Sequence, residues 1–498
     1  MTADSVLVTA TAVDTPQVSV AQVGIGAVGA GGVDIEATDT STMEAYIGPH
    51  FDHVASHASP TSVTTTGSGG VEIDATLTTV PQAHALMVNL GLLAAGGFTS
   101  ATATSNATAL AYFGDGAVIN ATSSGAVHVL TTVTATSDAK SLGIGVGLGF
   151  AAGGATSTSK LDLTVGAYGV GHGSITGGAI TFTTHLNAGF VPSSNNGPAY
   201  GKVTLGSVAL GAGIAAGVLT VEDSPTVTTG PGANTTVNAT GNVSITTTVF
   251  ERANADGESL AGGLGAAAGV TVVKATAGGS TTTQVGGALT STGAVTVSTT
   301  LDAATVGTGR AIAAALGGAG DVTSVTAKTN PGVNTDVSGS VSGHGLVRVT
   351  STVTSDANAT ADAFSVALGG AAAAVVITAT NAPTVSATAK GASSSTSDVV
   401  ILALNNYTGS AYPLGGSDSF NSNGAHASTT QVDVSLGLSI GGTVATAEDD
   451  SSTAAGISGN GSVSVPNGTL VIASRSSHLA DPTVSLVSGG GASFSGLS

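Results

Sequence analysis

Apolar and β-branched residues recur at every second position from Val127 to Ala135, where Val127, Val129, Thr131, Val133 and Ala135 share one parity. The same frame returns as Ile180, Phe182, Thr184, Leu186 and Ala188, and then as Val243, Ile245, Thr247 and Val249. It continues as Val295, Val297, Thr299, Leu301 and Ala303, and as Val347, Val349, Ser351 and Val353. The other parity holds Thr, Ser, His128, Asp302 and Arg348. A period of two with β-branched residues marks a strand with one buried and one wet face. A helical period fits none of these stretches, so the pattern predicts an all-β chain.

Two further kinds of strand accompany the Val/Thr strand. An Ala/Thr strand places Ala101, Ala103, Ala107, Ala109 and Ala111 on one face and Thr102, Thr104 and Thr108 on the other. It ends in turn signals such as Phe113-Gly-Asp-Gly116 or Ile47-Gly-Pro49. The third kind is a Gly-Ala run with no polar face, as in Leu142–Ser159. A strand of that kind is expected to be covered on both sides. The expectation is a layered cross-section with Gly-Ala strands in the middle and the other two kinds outside.

The Gly-Ala runs return roughly every fifty to seventy residues, a spacing that signals stacked repeats. Repeat starts fall near residues 18, 85, 142, 205, 260, 311, 364 and 432, with about eight repeats in one continuous array over 1–498. This predicts a β-solenoid, in which each repeat touches chiefly its neighbours. A string of small sandwiches is the rival, but three short strands are too few to close one. Pro-, Asn-, Gly- and Ser-rich insertions at 50–69, 189–202 and 405–428 read as rim loops. The first strand is of the Val/Thr kind and the last of the Gly-Ala kind, with no cap at either end. One copy's end therefore matches another's beginning, and head-to-tail stacking, or continuation within a longer chain, is expected.

Composition narrows the partners. Aromatics are 3% and charged residues 8% of the 498, and the net charge is −19. That balance argues against nucleic acid and against an anionic membrane surface. Low charge with a positive mean hydropathy argues against ordinary disorder. No apolar run reaches the length of a membrane-spanning helix, and no secretory signal is visible at the N-terminus. Cysteine is absent, which removes disulfides, thiolate metal sites and cysteine nucleophiles together.

Candidate chemistry is sparse. His50, Asp52, His53 and His57 form the one dense group of metal-ligating residue types, against the plainer reading of a solvated loop. Asp34 with Glu36, Glu72 with Asp74, and the run Glu448, Asp449, Asp450 offer hard oxygen ligands suited to weak Ca²⁺ binding. No other cofactor is expected. Gly317-Gly-Ala-Gly-Asp321 is an isolated partial match to a calcium-binding repeat. Gly24-Ile-Gly26-Ala-Val-Gly29 matches a dinucleotide fingerprint in letters, but a strand rather than a helix follows it. Outward Thr arrays interrupted by Asp302, Arg348 and His185 make a poor ice-binding lattice. Charges too few and too dispersed for clustered acid-base groups argue against an enzyme. Tyr407, Tyr412 and Phe420 gather scarce aromatics in one insertion, a candidate contact surface for a glycan or protein.

The Gly-Ala strand, the Ala45-Tyr-Ile-Gly48 and Ala111-Tyr-Phe-Gly114 segments and the G-x-V-x-V-x-T strands together resemble the β-strand repeats of very large bacterial surface proteins. Filamentous adhesins and leukotoxin-like proteins are among these. The resemblance covers nearly the whole chain and implies a secreted, elongated protein used in adhesion or surface structure. It brings no catalytic residues. The expectation is an extracellular or cell-surface structural protein, with an adhesin acting through its rim loops as the alternative.

Overall fold

The computed structural model describes residues 1–50, 61–190, 197–409 and 419–498. Every ladder between its named strands is parallel, and no helix occurs among the described residues. The all-β solenoid is therefore present. One coil serves for all. A long strand, Val295–Ala315, turns at Leu316-Gly317 and returns as Gly318–Thr329. Two short strands follow, Gly332–Val337 and Ser340–Gly343, and the next coil opens at Val347. Each strand pairs with its counterpart one coil away, in unbroken register. Val6, Val71, Val127, Ile180, Val243, Val295, Val347, Val399 and Leu470 thus line up in one row.

The cross-section has two parts. The first half of each long strand and the two short strands enclose one core, where Val297, Leu301, Val333, Val337 and Val341 cluster. The inward parity read from the sequence is the buried one here, and its threonines form an internal ladder. Thr283 Oγ1 lies 2.6 Å from Thr247 and 2.7 Å from Thr299, and Thr299 lies 2.7 Å from Thr335. Thr299 donates to Thr283 and Thr335 reaches Thr350 O at 3.2 Å, so most of these buried hydroxyls find partners within the ladder.

The second half of each long strand projects beyond this core, facing the returning strand. The two form a flat, double-layered fin. Its layers do not pair with one another; they pack through side chains small enough to interdigitate. At Gly309 an added Cβ would lie 2.5 Å from Val325 Cγ2, which explains the glycine. Where fin meets core, buried hydroxyl pairs bridge the layers: Thr79 with Ser105 at 3.0 Å, Ser137 with Ser159 at 2.5 Å, Thr305 with Thr329 at 2.9 Å.

Three expectations are corrected. The Gly-Ala strands are not a middle layer, because each covers its inner face with the returning strand and leaves its outer face bare; Val146, Leu148 and Leu210 are exposed. The Val/Thr and Gly-Ala segments are one strand in Val243–Gly263, Val295–Ala315 and Val347–Ala367, since no turn residue separates them between Leu301 and Thr305, and a fourth, short strand such as Ser340–Gly343 follows. Ala188 is exposed rather than inward, because the strand ends at Leu186 and Asn187 adopts a left-handed φ of 52°.

Asn187 also explains how an insertion leaves the stack without opening it. Its N–H donates to Val133 O at 2.8 Å, and its side-chain oxygen accepts the Ala135 N–H at 2.7 Å. The amide replaces the carbonyl that the departing backbone withdraws. Asn406, at φ 54°, repeats the arrangement with Val353 O and the Ser355 N–H at the next insertion.

Candidate functional site

The outward side of the long strands alternates with the core side, so residues there stack into outward columns along the axis. One column runs Asp138, Tyr200, Asn254, Val306, Asn358, His426, and the next runs Lys140, Lys202, Asp256, Thr308. A third runs Leu142, Thr204, Glu258, Arg310, Asp362. Charges that are dispersed in sequence are therefore gathered on one face. Phe190, at the start of the insertion at 189–202, packs on Phe250.

The face is held by mutual pairing. Lys140 Nζ lies 2.5 Å from Asp138, which also meets His84 Nε2 at 3.3 Å, and Lys202 Nζ lies 2.7 Å from Asp256. Lys140 sits 5.3 Å from the Tyr200 ring centroid, and Arg310 5.5 Å from that of Phe364. Asp356 accepts the Gly424 N–H at 3.2 Å and meets His426 at 3.5 Å. The hydrogen bond to Asp256 raises the Lys202 ammonium, while burial followed by the Asp256 charge raises the Tyr200 phenol. Burial also raises Asp302 and Asp356, partly opposed by Arg252. A surface cleft of about 280 Å³ opens here, lined by Tyr200, Arg252, Asn254, Asp256, Val306 and Thr308. Paired charges, an amide and an aromatic in an open cleft suit a polar ligand held by several weak hydrogen bonds.

The residues singled out from sequence are dispersed. His50 Nε2 lies 2.6 Å from Glu44 Oε2, and its ring meets Tyr46 edge-on. Tyr46 begins a stack with Tyr112 and Tyr168, at centroid spacings of 5.1 and 5.6 Å. Burial, with Glu44 nearby, pushes the Tyr168 phenol up to about 12. The AYIG and AYFG segments are therefore an aromatic ladder. Asp52, His53, His57 and Tyr412 lie outside the described residues, and among the described residues no group of three or more His, Asp or Glu is placed to hold a metal. Tyr407 is buried over Val400, Leu402 and Leu404, with Phe420 edge-on at 5.2 Å.

The acidic pairs fare differently from one another. Asp34 with Glu36, and Glu72 with Asp74, stay outward in their strands. Asp449 turns inward, accepting N–H bonds from Ser451 and Leu479. Asp321 is buried inside the fin, accepting the Ala313 N–H at 2.8 Å. The Gly24–Gly29 segment lies within one strand, Gln17–Asp39.

Sequence reading missed the charged face and one buried pair. Asp223 and Glu251 meet at the neck of the fin, where burial raises both carboxyls. Their backbone partners are the Arg252 N–H at 2.8 Å and the Gly279 N–H at 3.3 Å. A usable signal for the charged face existed: Lys140, Lys202 and Asp256 stand at the same distance from the leucine ending each Gly-Ala strand. Aligning on that leucine exposes the columns. No family model, curated relative or solved structure matches the chain.

Proposed function

We propose that the chain is a structural segment of an extracellular filament or cell-surface stalk, elongated by end-to-end stacking of coils. The observation that carries this reading is the parallel register carried from coil to coil, broken only by one shift between Gly26 and Val28 among the described strands. Nine short strands form one continuous sheet along the axis, and the first and last described coils each carry ladders on one side only. Their other edges hold unpaired N–H and C=O groups, a template for a further coil. Another copy, or more of the same polypeptide, supplies that coil, and a contact between copies is heterologous and does not close. The acidic balance suits solubility in an extracellular fibre.

Cryo-EM or fibre diffraction of the assembled material tests the reading. The expected result is a filament with strands repeating at about 4.8 Å along its axis. A monodisperse particle at high concentration, without that repeat in native material, overturns it.

The charged face favours a second reading, in which a stalk also binds a glycan or protein on that face. Glycan and protein arrays check it. Binding that is lost in Tyr200→Ala and Lys202→Ala while filaments persist supports the adhesin role, and binding unchanged by both removes this face from it.

A further inference from the structure

The outer third of the fin is an apolar band among the described surfaces. Counting outward positions toward the tip, the last charged column on the long strands holds Glu258, Arg310 and Asp362. Beyond it come Ile144, Leu260, Ile312, Phe364 and Val432, and then Val146, Val208, Val366 and Val434. The edge itself is a line of exposed leucines: Leu148, Leu210, Leu264, Leu316, Leu368 and Leu436. The returning face continues it with Phe150, Ile214, Val322, Leu438 and Ile440, all exposed. From the second coil to the eighth, outward positions on both faces of this band are Gly, Ala, Val, Leu, Ile or Phe. Thr and Ser, which dominate outward positions elsewhere, are absent from it.

We infer that this edge is a blade for a lipid surface of uncharged headgroups, entering one leaflet without spanning the bilayer. Three features select that occupant over a second copy. The first is shape and area. At about 3.3 Å per residue and 4.8 Å per coil, the apolar band is about 13 Å deep and 35 Å long on each face, about 450 Å². A stable protein interface takes about 800 Å² from each partner. A second copy covering one face would bury too little and leave the other face and the edge wet, whereas fluid hydrocarbon covers all three.

The second feature is depth, because about 13 Å approaches the hydrocarbon of one leaflet, half of about 30 Å. The charged column of Glu258, Arg310 and Asp362 then falls at headgroup level on the long-strand face, and on the returning face Thr156 and Ser324 stand next beyond the band. The third is the backbone. A surface entering hydrocarbon must satisfy its own polar groups, and glycine N–H groups at the tip turns bond from coil to coil. Gly265 N donates to Gly211 O at 2.8 Å, Gly317 N to Leu264 O at 3.2 Å, and Gly369 N to Leu316 O at 3.2 Å. The net charge of −19 sets the headgroup preference, since an anionic surface repels this chain.

The chain has no tryptophan, so one introduced indole reports its own surroundings. Leu316→Trp and, as a control on the core's outer face, Thr296→Trp are each mixed as full chains with phosphatidylcholine vesicles carrying brominated acyl chains. The expected result is a blue-shifted, quenched emission for Leu316→Trp and neither change for Thr296→Trp. The triple variant Leu264→Gln, Leu316→Gln, Leu368→Gln should lose vesicle flotation by at least roughly tenfold, with its β-sheet circular dichroism intact. Adding phosphatidylserine should weaken flotation of the parent chain. No response of Leu316→Trp to vesicles overturns the inference, whether or not the triple variant folds. A blue shift that appears without lipid, tracks a dimer in sedimentation and is unaffected by vesicles overturns it in favour of a second copy. The stalk reading stands or falls separately, on the axial strand repeat.

Discussion

Side chains divide by parity with little tolerance. Val297 is fully buried, whereas its neighbour Thr296 lies on the outer face. Val297→Asp forces a carboxylate into the core without a partner, which should cost several kcal/mol, about 3 or more, while Thr296→Asp should stay within about 0.5 kcal/mol. Urea melts of the two variants check this; equal midpoints would show the two faces to be misassigned. Asp321 makes a pH prediction. Burial, with the Asp433 charge a lesser contributor, pushes it up to about 7, against the Ala313 N–H bond that lowers it. Its folded pKa lies above its unfolded one, so the folded chain holds this proton more tightly. Stability should therefore fall as pH rises from about 4 to about 7 and level off beyond, by up to about 4 kcal/mol from this group. Asp321→Asn keeps an oxygen for the Ala313 N–H and carries no charge. Its melting temperature should exceed the parent's at pH 8 and vary less across that window.

Each strand depends on how it is ended. At the fin tip, Gly317 sits so close to the coil below that an added Cβ would lie 2.0 Å from Gly265 O. That approach lets the Gly317 and Gly318 N–H groups reach the neighbouring turn. Gly317→Val should push these turns apart and raise hydrogen exchange at Gly317 and Gly318 while leaving the core amides protected. The insertions depend on a different device. Asn406→Ala removes the oxygen that receives the Ser355 N–H and the amide that donates to Ser355 O at 3.0 Å. Leaving those buried groups unpaired should cost about 1–3 kcal/mol. A melting midpoint unchanged by Asn406→Ala would deny the amide this role.

The molecule as a whole behaves as a stack. Equivalent residues in the regular coils stand 52 apart, as Asn242 and Ala294 or Asn334 and Ser386 do. Excising residues 295–346 removes one such coil and brings Val347 onto Val243, where Val295 had been. The shortened chain should keep its β-sheet spectrum and melt cooperatively, since each coil contacts chiefly its neighbours. Removing only 295–320 shifts strands of one kind onto another, and that variant should aggregate or stay unfolded. Comparable melting of the two deletions would contradict the coil-by-coil architecture.

The period of two was enough to identify strands, to predict which residues of Val295–Ala303 point inward, and to foresee a solenoid from the spacing of the Gly-Ala runs. These properties are local: parity follows from backbone geometry, and stacking follows from like segments that cannot bury themselves alone. The insertions expected at 50–69, 189–202 and 405–428 lie partly outside the described residues, and strands Ser62–Thr65, Ala199–Ala209 and Ala425–Ser435 run into those bounds. Three things were not legible. The projecting fin depends on where the chain turns back, and a Gly-Ala strand reads alike whether its outer face is covered or bare. The charged face required columns of residues dozens of positions apart, such as Lys202 beside Asp256, which only the register between coils brings together. Asp223 and Glu251 come from different coils, and their pKa values are raised only because folding buries both at one point. Alternation is a property of consecutive residues, whereas a surface, a cleft or a buried pair is a property of residues made neighbours by stacking.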